Sequence, residues 1–233
     1  MGNDVMDLDQ LASFLGRDVR ELGKLAMRGY LPGKRVGGEW RFAAQEVQTW
    51  VESEMPGWTE QELQGIDPVC PRDGYAAVIA PLLPVECIEL NFAARTKNSA
   101  VRDLVALADR SHRLWDTDAV REAVLLREER GTTAWPGGFA TPHPHRRLPQ
   151  AQGESVIAFA RSPGGIHFGA GRDGTTDLFF LVCCTENRDH LQVLSRLSRM
   201  LRREGCADEL RSAATPADVL RVIEAGELEL ASN

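Results

Sequence analysis

The stretch Asp177-Leu178-Phe179-Phe180-Leu181-Val182 decides the fold class, because it is an almost continuous apolar run with the length of one strand. The stretch from Ser155 to Ala160, which reads SVIAFA, has the same character. Runs of this kind are typical of strands that are covered on both faces of a sheet. We therefore predict that these two stretches are buried central strands.

Helical patterns lie on either side of these strands in the sequence. Apolar residues recur at helical spacing in four segments, namely 99–111, 116–129, 190–203 and 216–225. A lead-in of two shorter segments, 76–83 and 87–90, precedes them. Alternation of helices and strands predicts an α/β fold in which helices cover both faces of the sheet.

The overall composition excludes several classes of protein. The chain has 233 residues, of which 43% are hydrophobic and 26% charged, so it is neither collagen-like nor wholly disordered. Its longest apolar run, Leu178 to Cys184, has seven residues, whereas a bilayer helix needs about 20. The N-terminus lacks the pattern of a signal peptide. We therefore expect a cytoplasmic protein with no membrane partner, and the net charge of -7 argues against bulk coating of nucleic acid.

Three stretches of the chain differ in amino-acid composition and in pattern. Residues 6–52 contain equal numbers of acidic and basic residues, and residues 53–75 are acidic and rich in proline and glycine. We predict that 53–75 is a linker with one short helix near 59–63. The alternating pattern of the C-terminal domain then occupies residues 79–227.

Residues 6–52 carry the pattern of a small helical module. Leu8, Leu11 and Leu15 indicate a first helix that ends at Gly16, and Asp18 is placed to cap a second helix. The pair Gly37-Gly38 joins two short extended runs, which predicts a β-hairpin, and a third helix is expected over 44–52.

This order resembles the excisionase and MerR-like DNA-binding module, a small winged helix-turn-helix. The resemblance is carried by Leu11-Ala12-x-x-Leu15-Gly16, Leu22-x-x-Leu25, Arg28-Gly29-x-Leu31-Pro32 and Val36-Gly37-Gly38-x-Trp40-Arg41-Phe42. It implies that the second helix enters the major groove and that the hairpin touches the backbone. The cations implied to face DNA are Arg17, Arg20, Lys24, Arg28, Lys34, Arg35 and Arg41. The competing interpretation is a solvated surface, and so few cations would bind DNA weakly unless the protein is a homodimer.

Chemistry concentrates in a loop rich in glycine and proline, residues 134–145, which reads AWPGGFATPHPH and contains His143 and His145. A neutral histidine nitrogen can accept a phosphoryl group near neutral pH. The phosphate oxygens then need hydrogen-bond donors, a task that suits the planar guanidinium of arginine.

The same region resembles the enzyme IIA type 2 domain of the phosphotransferase system, in its fructose/mannitol and nitrogen-regulatory branches. The motifs are Leu125-Leu126-Arg127-Glu128, Gly137-x-Phe139-Ala140-x-Pro142-His143, Ala94-Arg95-Thr96-Lys97-x-x-Ala100, the strand at 177–182, and His190-Leu191-x-x-Leu194. The resemblance implies a mixed sheet flanked by helices. It further implies that a phosphocarrier protein, HPr or its nitrogen-branch equivalent, phosphorylates His143, that His190 orients His143, and that Arg127 steadies the phosphate.

Three residues depart from the motif of that family. Pro136 replaces a glycine or alanine, Thr141 an aliphatic residue, and Pro144 a small residue whose backbone N–H proline cannot offer. The expected function is a phosphohistidine intermediate that couples phosphorylation to binding of DNA or a partner protein. Two alternatives stay open: a sensor that is not phosphorylated, and an intermediate that passes phosphate to a separate permease.

No cofactor or metal is expected from the remaining candidates. A metal site formed by His143-x-His145 with Cys183, Cys184 or His190 has no recognised zinc spacing. The cysteines are odd in number and lack a C-x-x-C motif, so we expect buried thiols. We expect His112 and His167 to be surface or structural groups.

Overall fold

The computed structural model describes residues 5–67, 78–169 and 174–232. Contacts divide the chain into two compact units, one up to residue 68 and one from residue 69. In the described part of the chain, no helix combines the length and the apolar character needed to cross a membrane.

The N-terminal unit consists of short helices and a small antiparallel sheet. Its elements, in chain order, are β1 (Val5–Met6), α1 (Leu8–Leu15), α2 (Val19–Met27), β2 (Lys34–Val36), β3 (Glu39–Ala43), α3 (Ala44–Glu54), a 3-10 turn (Met55–Gly57) and α4 (Glu60–Ile66). The strand order is β1-β3-β2, and both pairs are antiparallel. The predicted helices and hairpin are therefore present, and β1 is an addition that the sequence analysis missed.

Local residue choices explain these elements. Gly16 ends α1 in the left-handed conformation, and the Asp18 carboxylate accepts the backbone N–H groups that open α2. Gly37 and Gly38 both have positive φ, 62° and 89°, as the tight turn between β2 and β3 requires.

The predicted linker differs from the structure in its first part. Residues up to 67 belong to the N-terminal unit, where α4 contacts α1 and buries Leu63 and Ile66. A Cβ on Gly16 would lie 2.4 Å from the Gly65 carbonyl oxygen, so the two helices meet where neither has a side chain. The segment resembles a linker in sequence because its few apolar residues are surrounded by acidic ones. The rest of the predicted linker, 68–75, lies outside the described residues, as does Cys70.

The C-terminal unit confirms the predicted α/β fold with a mixed sheet flanked by helices. Its elements are two 3-10 turns (Ala80–Leu82 and Val85–Cys87), β4 (Ile88–Glu89), α5 (Lys97–Asp109), α6 (Thr117–Glu129), β5 (Ala134–Trp135), β6 (Phe139–Ala140), β7 (Val156–Ile166), β8 (Thr176–Cys183), α7 (Asn187–Arg202), α8 (Cys206–Ser212) and α9 (Pro216–Ser232). Helix α8 and the β5–β6 hairpin were not predicted.

The two predicted strands form the centre of this sheet, whose order is β4-β7-β8-β6-β5. Strands β7 and β8 pair antiparallel with Phe159 opposite Phe180, whereas β4 is parallel to β7 and β6 is parallel to β8. Alternate residues such as Ala158 and Leu181 pack with α5 and α6, while α7 contacts β8. Because their neighbours Ile157 and Phe180 are equally buried, both faces of the sheet are covered.

Candidate active site

His143 follows the last residue of β6 by three positions, and the segment that carries it runs beside β8. The Val182 backbone N–H donates to the Pro142 carbonyl at 2.9 Å, and the Thr141 N–H donates to the Thr133 carbonyl at 3.0 Å. These two bonds fix the backbone that carries the histidine between β8 and the segment before β5. The imidazole itself is buried.

The hydrogen bonds of His143 define which of its ring nitrogens carries the proton. Nδ1 lies 2.7 Å from the Thr141 carbonyl oxygen, which can only accept, so Nδ1 carries the proton. Nε2 therefore has the lone pair, and it accepts a hydrogen bond from Arg127 Nε at 3.1 Å. An imidazole in this tautomer has its nucleophilic lone pair on Nε2.

Arg127 belongs to the last turn of α6 and is buried beside this nitrogen. Its Nη1 donates to the Gly131 carbonyl at 3.1 Å, which holds the guanidinium plane in place. A guanidinium fixed in this way places a permanent positive charge and N–H donors where a phosphoryl group on Nε2 would develop charge.

His190 comes from the first turn of α7 and completes the group. Its ring meets that of His143 edge to face, with centroids 4.7 Å apart and an interplanar angle of 61°. The structure thus brings together His143, His190 and Arg127, which the sequence analysis selected from three separate motifs.

The sequence analysis missed the residues that support Arg127. Its neighbour Glu128 is buried. The Glu128 carboxylate accepts hydrogen bonds from Lys97 Nζ at 3.0 Å and from the Thr133 backbone N–H at 3.1 Å. The Thr133 hydroxyl also donates to this carboxylate. Glu128 therefore fastens the end of α6 to the segment before β5. Lys97 and Glu128 belong to two of the family motifs in the sequence, and that membership was the one indication that they contribute to the site.

The loop predicted for residues 134–145 is partly wrong, because it contains the β5–β6 hairpin. Gly137 and Gly138 adopt positive φ in its turn, and a Cβ on Gly138 would lie 2.9 Å from an Arg211 nitrogen. The prolines and glycines that suggested an irregular loop form the connection between the two strands, Ala134–Trp135 and Phe139–Ala140.

The other histidines have different surroundings. Partial burial lowers the pKa of His145, and the charges of Arg130 and Arg146 lower it further. Its ring Nδ1 lies 3.3 Å from the Ala123 carbonyl oxygen. His112 and His167 are exposed.

The vicinal thiols are also set apart from this chemistry. Burial raises the pKa of Cys183, and it raises that of Cys184 to about 12. Both side chains therefore stay protonated, which disfavours them as nucleophiles or metal ligands.

Most of the cations predicted to face DNA are exposed. Arg20 and Lys24 lie four residues apart on α2, and Arg28 caps the C-terminal end of that helix. These three side chains are exposed, as are Lys34 and Arg35 on β2. The Arg35 guanidinium lies over the Trp40 ring, 5.5 Å from its centroid. Arg41 is half-buried and pairs with Glu39 at 2.7 Å.

Arg17 departs from the prediction. Its side chain is only 12% exposed and pairs with Glu21 and with Glu62, the latter at 3.2 Å. The guanidinium also lies over the Trp58 ring, 5.7 Å from its centroid. Arg17 therefore connects α4 to the rest of the N-terminal unit, because folding brings Glu62 and Trp58 to it.

Comparison with known proteins gives this site its context. A fructose-specific EIIA component of the phosphotransferase system from Haloferax volcanii is 37% identical over 147 residues, which cover 62% of this chain and 94% of that protein. A nitrogen regulatory protein from Bradyrhizobium diazoefficiens is 32% identical over 152 residues, covering 62% of this chain and 94% of its own length.

Solved structures share the fold of the C-terminal unit. The nitrogen regulatory protein IIA-Ntr from Neisseria meningitidis superimposes with a TM-score of 0.56 at 23% identity, over 62% of this chain and 97% of that one. The IIA mannitol protein from Escherichia coli gives a TM-score of 0.53 at 23% identity, over 60% and 97% of the two chains. Residues 81–226 match the family described as phosphoenolpyruvate-dependent sugar phosphotransferase system, EIIA 2, and the chain belongs to that family.

Proposed function

We propose that His143 accepts a phosphoryl group on Nε2 from a phosphohistidine of a phosphocarrier protein, HPr or its nitrogen-branch equivalent. The observation that carries this proposal is the pair of bonds on the His143 ring, with Nδ1 donating to Thr141 and Nε2 facing Arg127. A neutral imidazole held with one defined lone pair beside a fixed cation is suited to phosphoryl transfer.

The transfer exchanges one P–N bond for another, between the imidazole of the donor phosphohistidine and that of His143. The lone pair of Nε2 forms the new P–N bond, while the P–N bond on the donor breaks and its electrons stay on the donor nitrogen. The proton on Nδ1 remains in place, so the phosphorylated ring is positively charged and its N–H still donates to the Thr141 carbonyl. Arg127 turns its N–H donors from Nε2 to the phosphate oxygens, and the His190 ring limits rotation of the acceptor.

The relatives support phosphoryl transfer in a regulatory setting. Their names include both a fructose-specific EIIA component and nitrogen regulatory proteins. A IIA mannitol protein from Escherichia coli has been solved as a complex with phosphorylated IIB mannitol, so a second kind of partner on this fold is known. We propose that this chain is a phosphohistidine intermediate rather than an enzyme that turns over a small molecule.

We further propose that the N-terminal unit is a winged helix-turn-helix that binds DNA. The support is its element order, with α1 and α2 joined by a tight turn and followed by the β2–β3 hairpin. The exposed cations of α2 and β2 are placed to meet phosphates. Arg17 is omitted from this set because it pairs inside the unit. A homodimer would double the number of phosphate contacts and so compensate for the small number on each copy.

Phosphorylation supplies a means of regulation. A phosphoryl group adds close to two negative charges, which alters binding of DNA or of a partner protein near the modified residue. The alternative is a sensor domain that keeps the fold without transfer, and the departures at Pro136 and Pro144 favour it.

The experiment that tests phosphoryl transfer is incubation of the full chain with a phosphorylated phosphocarrier. We expect acid-labile label on the parent and on His145→Gln, and none on His143→Gln. His145→Gln is the matched control because His145 lies two residues away and its ring Nδ1 lies 3.3 Å from the Ala123 carbonyl oxygen. Absence of label on the parent with either carrier would favour the sensor alternative.

A further inference from the structure

Thr141 is held at three of its atoms. Its N–H donates to the Thr133 carbonyl at 3.0 Å, and its carbonyl accepts the His143 Nδ1–H at 2.7 Å. The third atom is the side-chain hydroxyl, which accepts a hydrogen bond from the Trp135 indole Nε1 at 2.9 Å. Both side chains are buried, so neither polar group can turn to water instead.

Trp135 is in turn fixed by its surroundings. It stands opposite Phe139 in the β5–β6 hairpin, and the two rings stack with centroids 5.6 Å apart. The Arg202 guanidinium lies over the indole, 5.7 Å from the ring centroid. Arg202 ends the helix whose first turn carries His190, so Trp135 contacts both the hairpin and α7.

We infer that Trp135 is a positioning residue for the reactive nitrogen of His143, acting through the Thr141 hydroxyl and carbonyl; this inference rests on the proposed phosphorylation of His143. A neutral imidazole has two tautomers, and only the one protonated on Nδ1 leaves the Nε2 lone pair available. The orientation of the Thr141 carbonyl selects that tautomer. The indole N–H fixes the side chain of the same residue and thereby limits rotation of its peptide group.

This arrangement explains the departure at position 141. A threonine hydroxyl buried among apolar residues would be destabilising without a partner. The indole N–H of Trp135 supplies that partner, since a buried tryptophan also needs an acceptor. The two residues therefore form a matched pair, and each satisfies the polar group of the other.

The test uses two variants that remove the bond from opposite ends. Trp135→Phe removes the N–H and keeps an aromatic ring, while Thr141→Val removes the hydroxyl and keeps the branched shape. Thr141→Ser is the control, because it keeps the hydroxyl and removes only the methyl group. The first readout is ¹⁵N NMR of the His143 ring in the full chain, with the signals assigned by their loss in His143→Gln.

The expected result is a proton confined to Nδ1 in the parent and in Thr141→Ser, and partly moved to Nε2 in both other variants. The rate of phosphorylation should fall about fivefold in each, the change that corresponds to one ordinary buried hydrogen bond. The double variant should be no slower than the single ones, because both remove the same bond.

An unchanged tautomer in Trp135→Phe would overturn the inference, whatever Thr141→Val does. If Trp135→Phe fails to fold, the test is the comparison of Thr141→Val with Thr141→Ser. An unchanged tautomer in Thr141→Val would overturn the inference, because the indole of Trp135 acts through the Thr141 hydroxyl that this variant removes. The NMR readout needs no phosphate donor. If the proposed phosphoryl transfer is wrong but this inference is right, no label will appear on the protein, while the proton will still move from Nδ1 to Nε2 in Trp135→Phe and Thr141→Val.

Discussion

The charged side chains of the two proposed sites occupy opposite environments, buried around His143 in the C-terminal unit and exposed on α2 in the N-terminal unit. In the C-terminal unit, Arg127 and the pair Arg196–Glu227 are buried and bound to defined partners. In the N-terminal unit, Arg20 and Lys24 point outward from α2. A buried charge must be paired, so it has one geometry. An exposed charge keeps its mobility and attracts any phosphate at a distance.

Each unit is therefore suited to a different task. Chemistry on one atom, such as His143 Nε2, needs donors fixed in place before the reaction begins. Recognition of a DNA backbone needs only positive charge on an accessible surface, and it weakens with salt. The function of the buried charges should therefore depend on geometry, and that of the exposed ones on charge alone.

The largest effect is expected for Arg127. Arg127→Ala should slow phosphorylation of His143 by about 10²- to 10³-fold, because it removes a preorganised donor from the site of charge development. Arg127→Lys should recover only part of the rate, since lysine keeps the charge without the planar fork. Rapid-quench measurement of acid-labile label gives both rates. Full activity in Arg127→Lys would show that charge alone suffices in the buried unit.

The next effect concerns the stability of the C-terminal unit. The fully buried Glu227 carboxylate accepts the backbone N–H groups of Val78, Ile79 and Ala80 and pairs with Arg196 at 3.4 Å. Glu227→Gln should lower the free energy of unfolding by about 3 kcal/mol, because it removes the negative charge from a buried, hydrogen-bonded ion pair.

Urea unfolding and hydrogen exchange at the Ile79 amide measure that loss. The matched control is Glu229→Gln on the same helix, because Glu229 is 58% exposed in its pair with Arg203. The control should cost less than about 1 kcal/mol. Equal losses in the two variants would contradict the distinction between buried and exposed pairs.

A smaller effect is expected for the proposed DNA contacts. The double variant Arg20→Ala/Lys24→Ala should weaken DNA binding about tenfold at low salt and reduce the slope of log affinity against log salt by nearly 2. A gel shift on genomic fragments at several salt concentrations supplies both values. Arg102→Ala, which removes an exposed arginine paired with Asp103 in the other unit, serves as the control. Equal binding by parent and double variant would remove α2 from the proposed interface.

The smallest effect is the pH dependence contributed by Glu62. Partial burial raises the pKa of Glu62, but hydrogen bonds from Thr59 and the charge of Arg17 outweigh it, so the pKa lies below its ordinary value. A carboxyl with a lowered pKa stabilises the folded state above its unfolded pKa of about 4.3, and this contribution disappears as the pH falls through the folded value.

Parent and Glu62→Gln should therefore differ in stability at neutral pH and converge in acid. The difference should stay well below 1 kcal/mol, because the Glu62 side chain is 30% exposed and its ion pair is screened by solvent. Urea midpoints between neutral and acidic pH measure it. A gap that is the same at every pH would mean that the charge of Glu62 contributes nothing.

Arg17 shows where sequence reasoning fails. Its position at the start of the second helical pattern is equivalent to that of an exposed cation, so the sequence groups it with Arg20 and Lys24. The residues that bury it, Trp58 and Glu62, lie in a segment whose proline, glycine and acids suggest a linker. Periodicity describes one helix at a time and gives no information about which later segment packs against it.

The β5–β6 hairpin illustrates the same limit. Two-residue strands are too short to produce a periodic pattern, and their pairing partners, β8 and each other, are set by the sheet. The hydrogen bond between Trp135 and Thr141 follows from that pairing. The sequence marked Thr141 as unusual without showing what satisfies its hydroxyl.

Apolar periodicity and short motifs are local properties, so the sequence alone predicted the α/β character, the two central strands and the three side chains that meet at His143. It also determined the helices and the hairpin of the N-terminal unit, through Gly16, Asp18 and the Gly37-Gly38 turn. The folded structure was needed to see that Nε2 of His143 faces Arg127 and that Arg17 pairs inside its unit. Nε2 is identified by the Thr141 carbonyl and by Arg127, and Arg17 pairs with Glu62, so both observations rest on contacts that form only when the chain folds.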